Sequence, residues 1–231
     1  MAESSVLVLF DIDGTLLSAG RAARESVLAA LADVYGWKSH NGNTHDFSGK
    51  TDPQIVRELV EADVGREKCD ELLERALERY LEEFSRRLSP QAVVTKPGAV
   101  ALVSSLTSLP NVTLGLLTGN LERGARMKLE PPGLNPHFPF GAFGSDSEDR
   151  YRLPAIALER ARSRSGRTFS GKEIVIVGDS VHDILCGRSL GVRSVAVASG
   201  PTPAASLASR EPDALLESFA DVAAAVEAIL G

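Results

Sequence analysis

One stretch near the start of the chain constrains the fold more than any other. Residues 6–10 read Val-Leu-Val-Leu-Phe, and Asp11 and Asp13 follow them closely. A short apolar run of this length is typical of a strand that is buried on both faces, as in a parallel sheet. Side chains two residues apart project to the same side of an extended chain, so these two carboxylates lie near each other. Because such carboxylates repel unless a cation or a shared proton lies between them, the pair indicates a metal site.

The composition indicates a globular protein. Of 231 residues, 43% are hydrophobic and 24% are charged, which excludes a disordered chain and a membrane protein. The longest apolar runs have the length of strands, and the first residues lack the features of a secretory signal, so we expect a soluble cytoplasmic protein. A net charge of −6 without any lysine-rich block argues against nucleic acid as the main partner. Cys69 and Cys186 are isolated in sequence and are expected to be buried free thiols.

Further apolar runs recur along the chain and alternate with helical patterns. Strong runs occupy residues 112–117 and 173–177, and weaker ones lie near residues 140–143, 195–197 and 214–216. Strands that alternate with helices form parallel sheets with helices on both faces. The sequence therefore predicts an α/β fold with a Rossmann-like parallel sheet core flanked by helices.

The segment between the first two strong strands differs from the rest, because it shows helical patterns and no strand. The helices are expected at residues 21–35, from an N-cap at Asp52 onward, and at 67–88. We therefore predict an inserted α-helical cap domain and a core domain made of two segments. The cap comprises residues 17–92, and the core comprises residues 1–16 and 93–231. An insertion at this point lies over Asp11 and Asp13, where it can act as a lid.

Polar residues follow each of the three strong strands. They are Asp11 and Asp13 after the first, Thr118, Gly119 and Asn120 after the second, and Asp179 and Asp183 after the third. Parallel strands end at one edge of a sheet, so these groups converge there. Carboxylate and hydroxyl oxygens suit Mg²⁺, which also keeps a position for a substrate phosphate. No pair of cysteines or histidines has the spacing of a zinc site.

Taken together, these motifs resemble those of the haloacid dehalogenase superfamily, in its phosphatase branch with a helical cap, which includes phosphoglycolate phosphatases. The resemblance covers essentially the whole chain. It is carried by Asp11-Ile-Asp13-Gly-Thr15, Leu117-Thr118-Gly119-Asn120 and Gly178-Asp179-Ser-Val-His-Asp183. Each motif alone is weak, but their order and their positions at strand ends make the combination specific.

The resemblance implies a Mg²⁺-dependent phosphatase that acts on a small phosphorylated metabolite through an aspartyl-phosphate. Asp11 would be the nucleophile, and Asp13 would be the general acid and base. Thr118, with the backbone N–H groups of Gly119 and Asn120, would bind the phosphoryl oxygens. The implied metal ligands are Asp11, the backbone carbonyl of Asp13, Asp179, and Asp183 either directly or by orienting the others.

Three further basic residues enter the hypothesis. The family's third motif usually supplies a lysine, but this chain has only Arg150 and Arg152 in that region. Arg150 fits the spacing better, and a guanidinium can neutralise the phosphoryl charge, while Arg152 stays an alternative. Lys50 lies in a cap segment that resembles a substrate-contacting loop, where it either complements an anionic leaving group or is simply solvated.

Three alternative functions compete with this hypothesis. True dehalogenases of the superfamily lack the second aspartate and need no metal, so Asp13 and Asp179 argue against that activity. A phosphomutase shares the core and differs in retaining a phosphorylated intermediate. A catalytically silent binding module would be expected to lack the nucleophile or a metal carboxylate, and both are present. The sequence indicates neither the identity of the substrate nor the oligomeric state.

Overall fold

The computed structural model describes residues 5–38, 42 and 44–231. Its strands are β1 (Val6–Phe10), β2 (Leu17–Ser18), β3 (Val94–Thr95), β4 (Val112–Leu117), β5 (Gly141–Ala142), β6 (Ile174–Gly178), β7 (Arg193–Val197) and β8 (Ala214–Leu216). Six of these form a parallel sheet in the order β5-β4-β1-β6-β7-β8. The predicted parallel core is therefore confirmed, with the first strand near its centre.

The position of β1 explains its sequence. Leu7 pairs with Thr113 of β4 on one side and with Ile174 of β6 on the other. Leu7 to Phe10 are fully buried because helices cover both faces of the sheet. The carboxyl ends of β4, β1 and β6 therefore lie side by side.

The described residues form nine α-helices: α1 (Ala22–Tyr35), α2 (Asp52–Val64), α3 (Arg66–Arg87), α4 (Ala99–Thr107), α5 (Glu122–Leu129), α6 (Leu153–Ser165), α7 (Val181–Cys186), α8 (Ala204–Ala208) and α9 (Val222–Leu230). Alternate residues of β1 point to opposite faces of the sheet. Val8 and Phe10 pack into a core with α4, α5 and α9, whereas Leu7 and Leu9 pack against α6. This two-sided packing is the layer arrangement that the alternating pattern predicts.

Helices α1, α2 and α3 form a bundle with a hydrophobic core of its own, which includes Leu31, Val60 and Phe84. Helix α1 ends at Tyr35 and is capped by Gly36, whose φ of 65° lies in the left-handed region that glycine adopts most easily. The bundle stands over the carboxyl edge of the sheet. The domain boundaries given above stay a prediction.

The expectation of no strand in the inserted segment is wrong at its first residues. Leu17 and Ser18 pair with Thr95 and Val94 in a short antiparallel ribbon, where the chain enters and leaves the bundle region. A ribbon of two residues on each side is too short to show a period of two in the sequence.

The predicted N-cap of α2 is also shifted by one residue. Thr51 has extended backbone, and its Oγ1 accepts the N–H of Gln54 at 3.2 Å, so Thr51 is the N-cap. Asp52 is the first helical residue, and its carboxylate instead accepts the backbone N–H of Leu121 at 2.8 Å. The side chain that looked like a cap therefore joins the bundle to the core.

Two expectations from composition can also be compared with the structure. Cys69 and Cys186 are both buried and free, as predicted. Among the helices of the described residues, none combines the length and the apolar character needed to cross a bilayer. The cytoplasmic location stays a prediction.

Candidate active site

Three buried carboxylates meet at the carboxyl edge of the sheet. Asp11 follows β1, Asp179 follows β6, and Asp183 lies in the first turn of α7. One oxygen of each lies within 4.8 Å of the other two, and none of the three residues is more than 8% exposed. The geometry thus brings together residues that are far apart in sequence, as the strand-end motifs predict.

Burial perturbs the titration of these acids. Burial, together with the charge of Asp183, raises the pKa of Asp11, and Arg150 only partly offsets this effect. The pKa of Asp179 is raised by burial and by the charges of Asp11 and Asp183. Three crowded carboxylate oxygens form the donor set that a hard divalent cation prefers, and a cation would let them ionise together. The residues present therefore fit a metal site.

Asp183 is held firmly from two sides. Its Oδ2 accepts the backbone N–H of Ser180 at 2.9 Å and the Ser180 hydroxyl at 2.6 Å, and its Oδ1 accepts from Arg150. With only 2% of the residue exposed, this carboxylate is part of the buried site. Direct coordination of a metal by Asp183 and orientation of the other ligands by it both stay predictions.

Arg150 is the cation of this cluster. Its Nη2 donates to Asp11 Oδ1 at 3.3 Å and to the carbonyl of Leu117 at 3.4 Å, as well as to Asp183. The residue is 3% exposed, whereas Arg152 is exposed to solvent. Arg150 Nε has no hydrogen-bond partner among the described residues. Of the two arginines considered for the third motif, the structure thus brings Arg150 to Asp11.

Asp13 has a different environment from Asp11. Its side chain is 43% exposed, and the buried cluster of three carboxylates does not include it. One oxygen, Oδ2, accepts the Asn120 amide at 2.8 Å and the Lys128 ammonium at 2.6 Å. The two aspartates of the first motif are therefore held by separate sets of partners, and the metal-binding role of the Asp13 carbonyl stays a prediction.

Lys128 is a site residue that the motifs did not indicate. It lies on α5 and is 2% exposed, and its Nζ donates to Asn120 Oδ1 at 2.6 Å as well as to Asp13. A signal was present in the sequence, because Lys128 follows Leu121 and Ala125 at helical spacing on the buried face of α5. A lysine on an otherwise apolar helical face needs an anionic partner.

The loop after β4 lies directly against the helical bundle. The N–H of Asp52 donates to the carbonyl of Gly119 at 2.8 Å. A Cβ atom on Gly119 would lie 1.9 Å from the carbonyl oxygen of Lys50, so only glycine permits this approach. Thr118 is fully buried, and its Oγ1 accepts the Asn120 amide at 2.8 Å. The bundle and the predicted phosphate-binding loop therefore share one interface.

A cavity of about 710 Å³ lies between the sheet edge and the bundle. Core residues that line it include Asp11, Asp13, Thr118, Lys128 and Arg150, and the bundle side contributes Arg24, His45, Phe47 and Lys50. Lys50 Nζ contacts Glu58 Oε2 at 2.5 Å, so its charge is already paired. This volume suits a small metabolite.

The raised pKa values predict how stability depends on pH when no metal is bound. Asp11 and Asp179 bind protons more tightly in the folded state than in the unfolded state, and so does Asp52, whose pKa burial raises to about 6. Their contribution to stability is full below pH 4 and is lost as pH rises through the folded pKa values. Burial lowers the pKa of His182, so this residue contributes to stability in the opposite direction. It is one group against three carboxylates.

We therefore expect the melting temperature in EDTA to fall by roughly 5–10 °C between pH 5 and pH 8. This fall corresponds to a loss on the order of 3 kcal/mol in the free energy of unfolding. Mg²⁺ should raise the melting temperature more at pH 8 than at pH 5, because ionised carboxylates bind it better. Thermal denaturation at both pH values, with EDTA and with Mg²⁺, measures both effects. A metal-induced shift that is equal at the two pH values would contradict this prediction.

Comparison with known proteins is consistent with this geometry. Residues 8–197 match the family model of haloacid dehalogenase-like hydrolases. A phosphoglycolate phosphatase of Agrobacterium fabrum is 29% identical, with 94% of this chain and 90% of that protein covered. The pyrophosphatase PpaX of Bacillus velezensis is 25% identical, with 93% of each covered.

The fold is shared with solved structures. A Bacteroides vulgatus protein assigned as a β-phosphoglucomutase superposes with a TM-score of 0.72 at 19% identity, covering 98% of this chain and 89% of that one. At this identity the likeness shows the fold alone. The family model covers most of the chain, and the two relatives described above, which match nearly its whole length, are named as a phosphoglycolate phosphatase and a pyrophosphatase. The chain therefore belongs to the haloacid dehalogenase-like hydrolase family, within which it is a phosphatase.

Proposed function

We propose that this protein hydrolyses a small phosphorylated metabolite with the help of Mg²⁺, through an aspartyl-phosphate formed on Asp11. The observation that carries the proposal is the unequal environment of the two aspartates after β1. Asp11 is buried among carboxylates beside Arg150, whereas Asp13 is partly exposed and contacts Lys128 and Asn120. Two carboxylates in such different surroundings suit two different roles.

In the first half of the reaction, Asp11 attacks phosphorus and the bond to the ester oxygen breaks. Asp13 gives its proton to the departing oxygen, so the product leaves as an alcohol. Arg150 neutralises the charge on the phosphoryl oxygens and the Thr118 hydroxyl donates a hydrogen bond to them, because both side chains line the cavity beside Asp11. When bound by Asp11 and Asp179, with Asp183 beside them, Mg²⁺ supplies positive charge that lets an anionic phosphate approach an anionic nucleophile.

In the second half, Asp13 acts as a base. It removes a proton from water, the water oxygen attacks phosphorus, and the bond between phosphorus and Asp11 breaks. Phosphate is released, Asp11 is restored as a carboxylate, and Asp13 regains the proton for the next cycle. The partial exposure of Asp13 is compatible with access of both water and leaving group.

Phosphate release from a panel of phosphate esters tests the proposal. The panel contains 2-phosphoglycolate, pyrophosphate, sugar monophosphates and p-nitrophenyl phosphate, each with Mg²⁺ or with EDTA. We expect metal-dependent release from at least one alkyl ester, reduced at least about 100-fold by EDTA. A lack of metal-dependent turnover throughout would favour a silent binding module. Isomerised sugar phosphate in the presence of a bisphosphate primer, without free phosphate, would show a mutase instead.

A further inference from the structure

Lys128 is an unusual residue for the interior of this protein. It lies beneath α3 of the bundle, with its ammonium 5.6 Å from the centre of the Phe84 ring, and is 2% exposed. Burial of an ammonium group is costly unless it is paired and hydrogen-bonded. Here the pairing is with Asp13 Oδ2 and Asn120 Oδ1, each at 2.6 Å. The buried positive charge of Lys128 is therefore paired with Asp13, a carboxylate of the first motif.

The three side chains form a closed triangle. Lys128 donates to the Asn120 carbonyl oxygen, the Asn120 amide donates to Asp13 Oδ2, and Lys128 donates to the same Oδ2. Because Lys128 is only a donor, its contact also determines which end of the Asn120 amide faces Asp13. Networks of this kind are more rigid than single hydrogen bonds.

The triangle leaves the two oxygens of Asp13 unequal. Oδ2 accepts two donors, whereas Oδ1 has no hydrogen-bond partner among the described residues. A carboxyl group on a half-exposed side chain would otherwise rotate and present either oxygen to the cavity. With Oδ2 held, Oδ1 is the oxygen that stays available for exchanging a proton.

We propose that Lys128 is a positioning residue that orients Asp13 for proton transfer to the leaving oxygen. This inference rests on the function proposed above. It predicts that Lys128 matters most where the leaving group needs a proton. An alkyl leaving oxygen needs one, whereas p-nitrophenolate departs readily without it. Dependence on the leaving group therefore separates this role from a general effect on phosphate binding or folding.

The test compares Lys128→Met with the wild type on two substrates: p-nitrophenyl phosphate, and the alkyl phosphate of the panel that the wild type turns over fastest. We expect kcat/KM for the alkyl ester to fall about 100-fold, against less than about 5-fold for the nitrophenyl ester. Lys128→Gln, which keeps a neutral donor, should lie between Lys128→Met and the wild type on the alkyl ester, and it serves for the comparison if Lys128→Met does not fold. Equal losses on both substrates, or none, would overturn the proposal.

Lys96 provides a matched control, because it lines the same cavity but donates to the carbonyl of Ser199 at 2.6 Å. Lys96→Met is expected to change kcat/KM for both substrates by the same factor.

In a double-mutant cycle, adding Lys128→Met to Asp13→Asn should cause little further loss of kcat/KM for the alkyl ester. Additive losses would show that Lys128 acts independently of Asp13. If the proposed function itself is wrong, the wild type will show no metal-dependent release of phosphate. That result differs from a loss of activity in the Lys128 variants alone.

A third measurement concerns Asp11. Beryllofluoride adds to the nucleophile without any proton transfer, so Lys128→Met should form the adduct with wild-type affinity in Mg²⁺, as measured by ¹⁹F NMR. Failure of Lys128→Met to form this adduct would show that the substitution disrupts the site around Asp11, and would count against a role confined to Asp13.

Discussion

Asp11→Asn is expected to lower kcat by at least about 10⁴-fold, because the substitution removes the attacking oxygen. An amide has nearly the same shape as a carboxylate but is a very poor nucleophile toward phosphorus. The substitution should also weaken the proposed metal site, since Asp11 contributes one of the three clustered carboxylates. The predicted loss corresponds to more than about 5 kcal/mol in the barrier.

The same substitution should leave the fold intact and should stabilise the metal-free protein at pH 8. Burial and the charge of Asp183 raise the pKa of Asp11, so an ionised Asp11 costs free energy when no cation is bound. A neutral amide removes that cost, while Arg150 keeps its contact with Asp183. We expect the melting temperature in EDTA to be equal to or higher than that of the wild type, and the shift caused by Mg²⁺ to be smaller.

Phosphate release and thermal denaturation of the same preparations measure both effects. Asp33→Asn is a suitable control, because Asp33 lies on α1 and contacts Arg79 at the surface of the bundle. That variant should keep wild-type turnover. Asp11→Asn with turnover within tenfold of the wild type would refute the nucleophile assignment. A large fall in its melting temperature in EDTA would contradict the view that the buried carboxylate is destabilising without metal.

The sequence predicts best those parts of the fold in which a single property of the residues, such as hydrophobicity, determines the local structure. Residues 6–10 are apolar throughout because helices cover both faces of β1, and this run is visible without knowledge of any partner strand. The convergence of Asp11 and Asp179 then follows from parallel strands that share an edge. Nothing beyond the strand and its end is needed for that inference.

Features that depend on contacts between distant segments could not be predicted in the same way. Asp52 reads as a helix cap from local sequence, but its partner is the backbone of Leu121. Lys128 reads as one residue of a short amphipathic helix, and its role depends on Asp13, which lies 115 positions earlier. In both cases local propensity correctly indicates a helix but does not indicate which distant residue the side chain contacts.

The second large effect is predicted for Arg150, the buried cation that contacts Asp11 and Asp183. Arg150→Met keeps much of the side-chain volume and removes the charge, so the phosphoryl group loses a fixed positive partner. Removal of one such electrostatic group typically costs about 10²–10³-fold in kcat. Arg150→Lys should recover part of this loss, because the charge returns without the planar guanidinium that can contact two carboxylates at once.

A stability effect should accompany the loss of activity, and Mg²⁺ should reduce it. Removing one partner of a buried ion pair costs on the order of 3 kcal/mol, because the remaining charge is left uncompensated. In EDTA at pH 8, Arg150→Met leaves Asp11 and Asp183 without this cation, whereas bound Mg²⁺ restores positive charge beside them. The melting temperature of Arg150→Met should therefore lie further below that of the wild type in EDTA than in Mg²⁺.

Arg152→Met is the matched control, since Arg152 lies two residues away and is exposed. We expect it to change kcat less than about twofold, because the exposed Arg152 side chain has no ion-pair partner among the described residues and such a charge contributes little. If Arg152→Met were crippling and Arg150→Met harmless, the arginine of the third motif would be the other one, and the contact with Asp11 would be structural only. If both were harmless, neither arginine of the third motif would be needed beside the nucleophile, and the bound cation would have to neutralise most of the phosphoryl charge there.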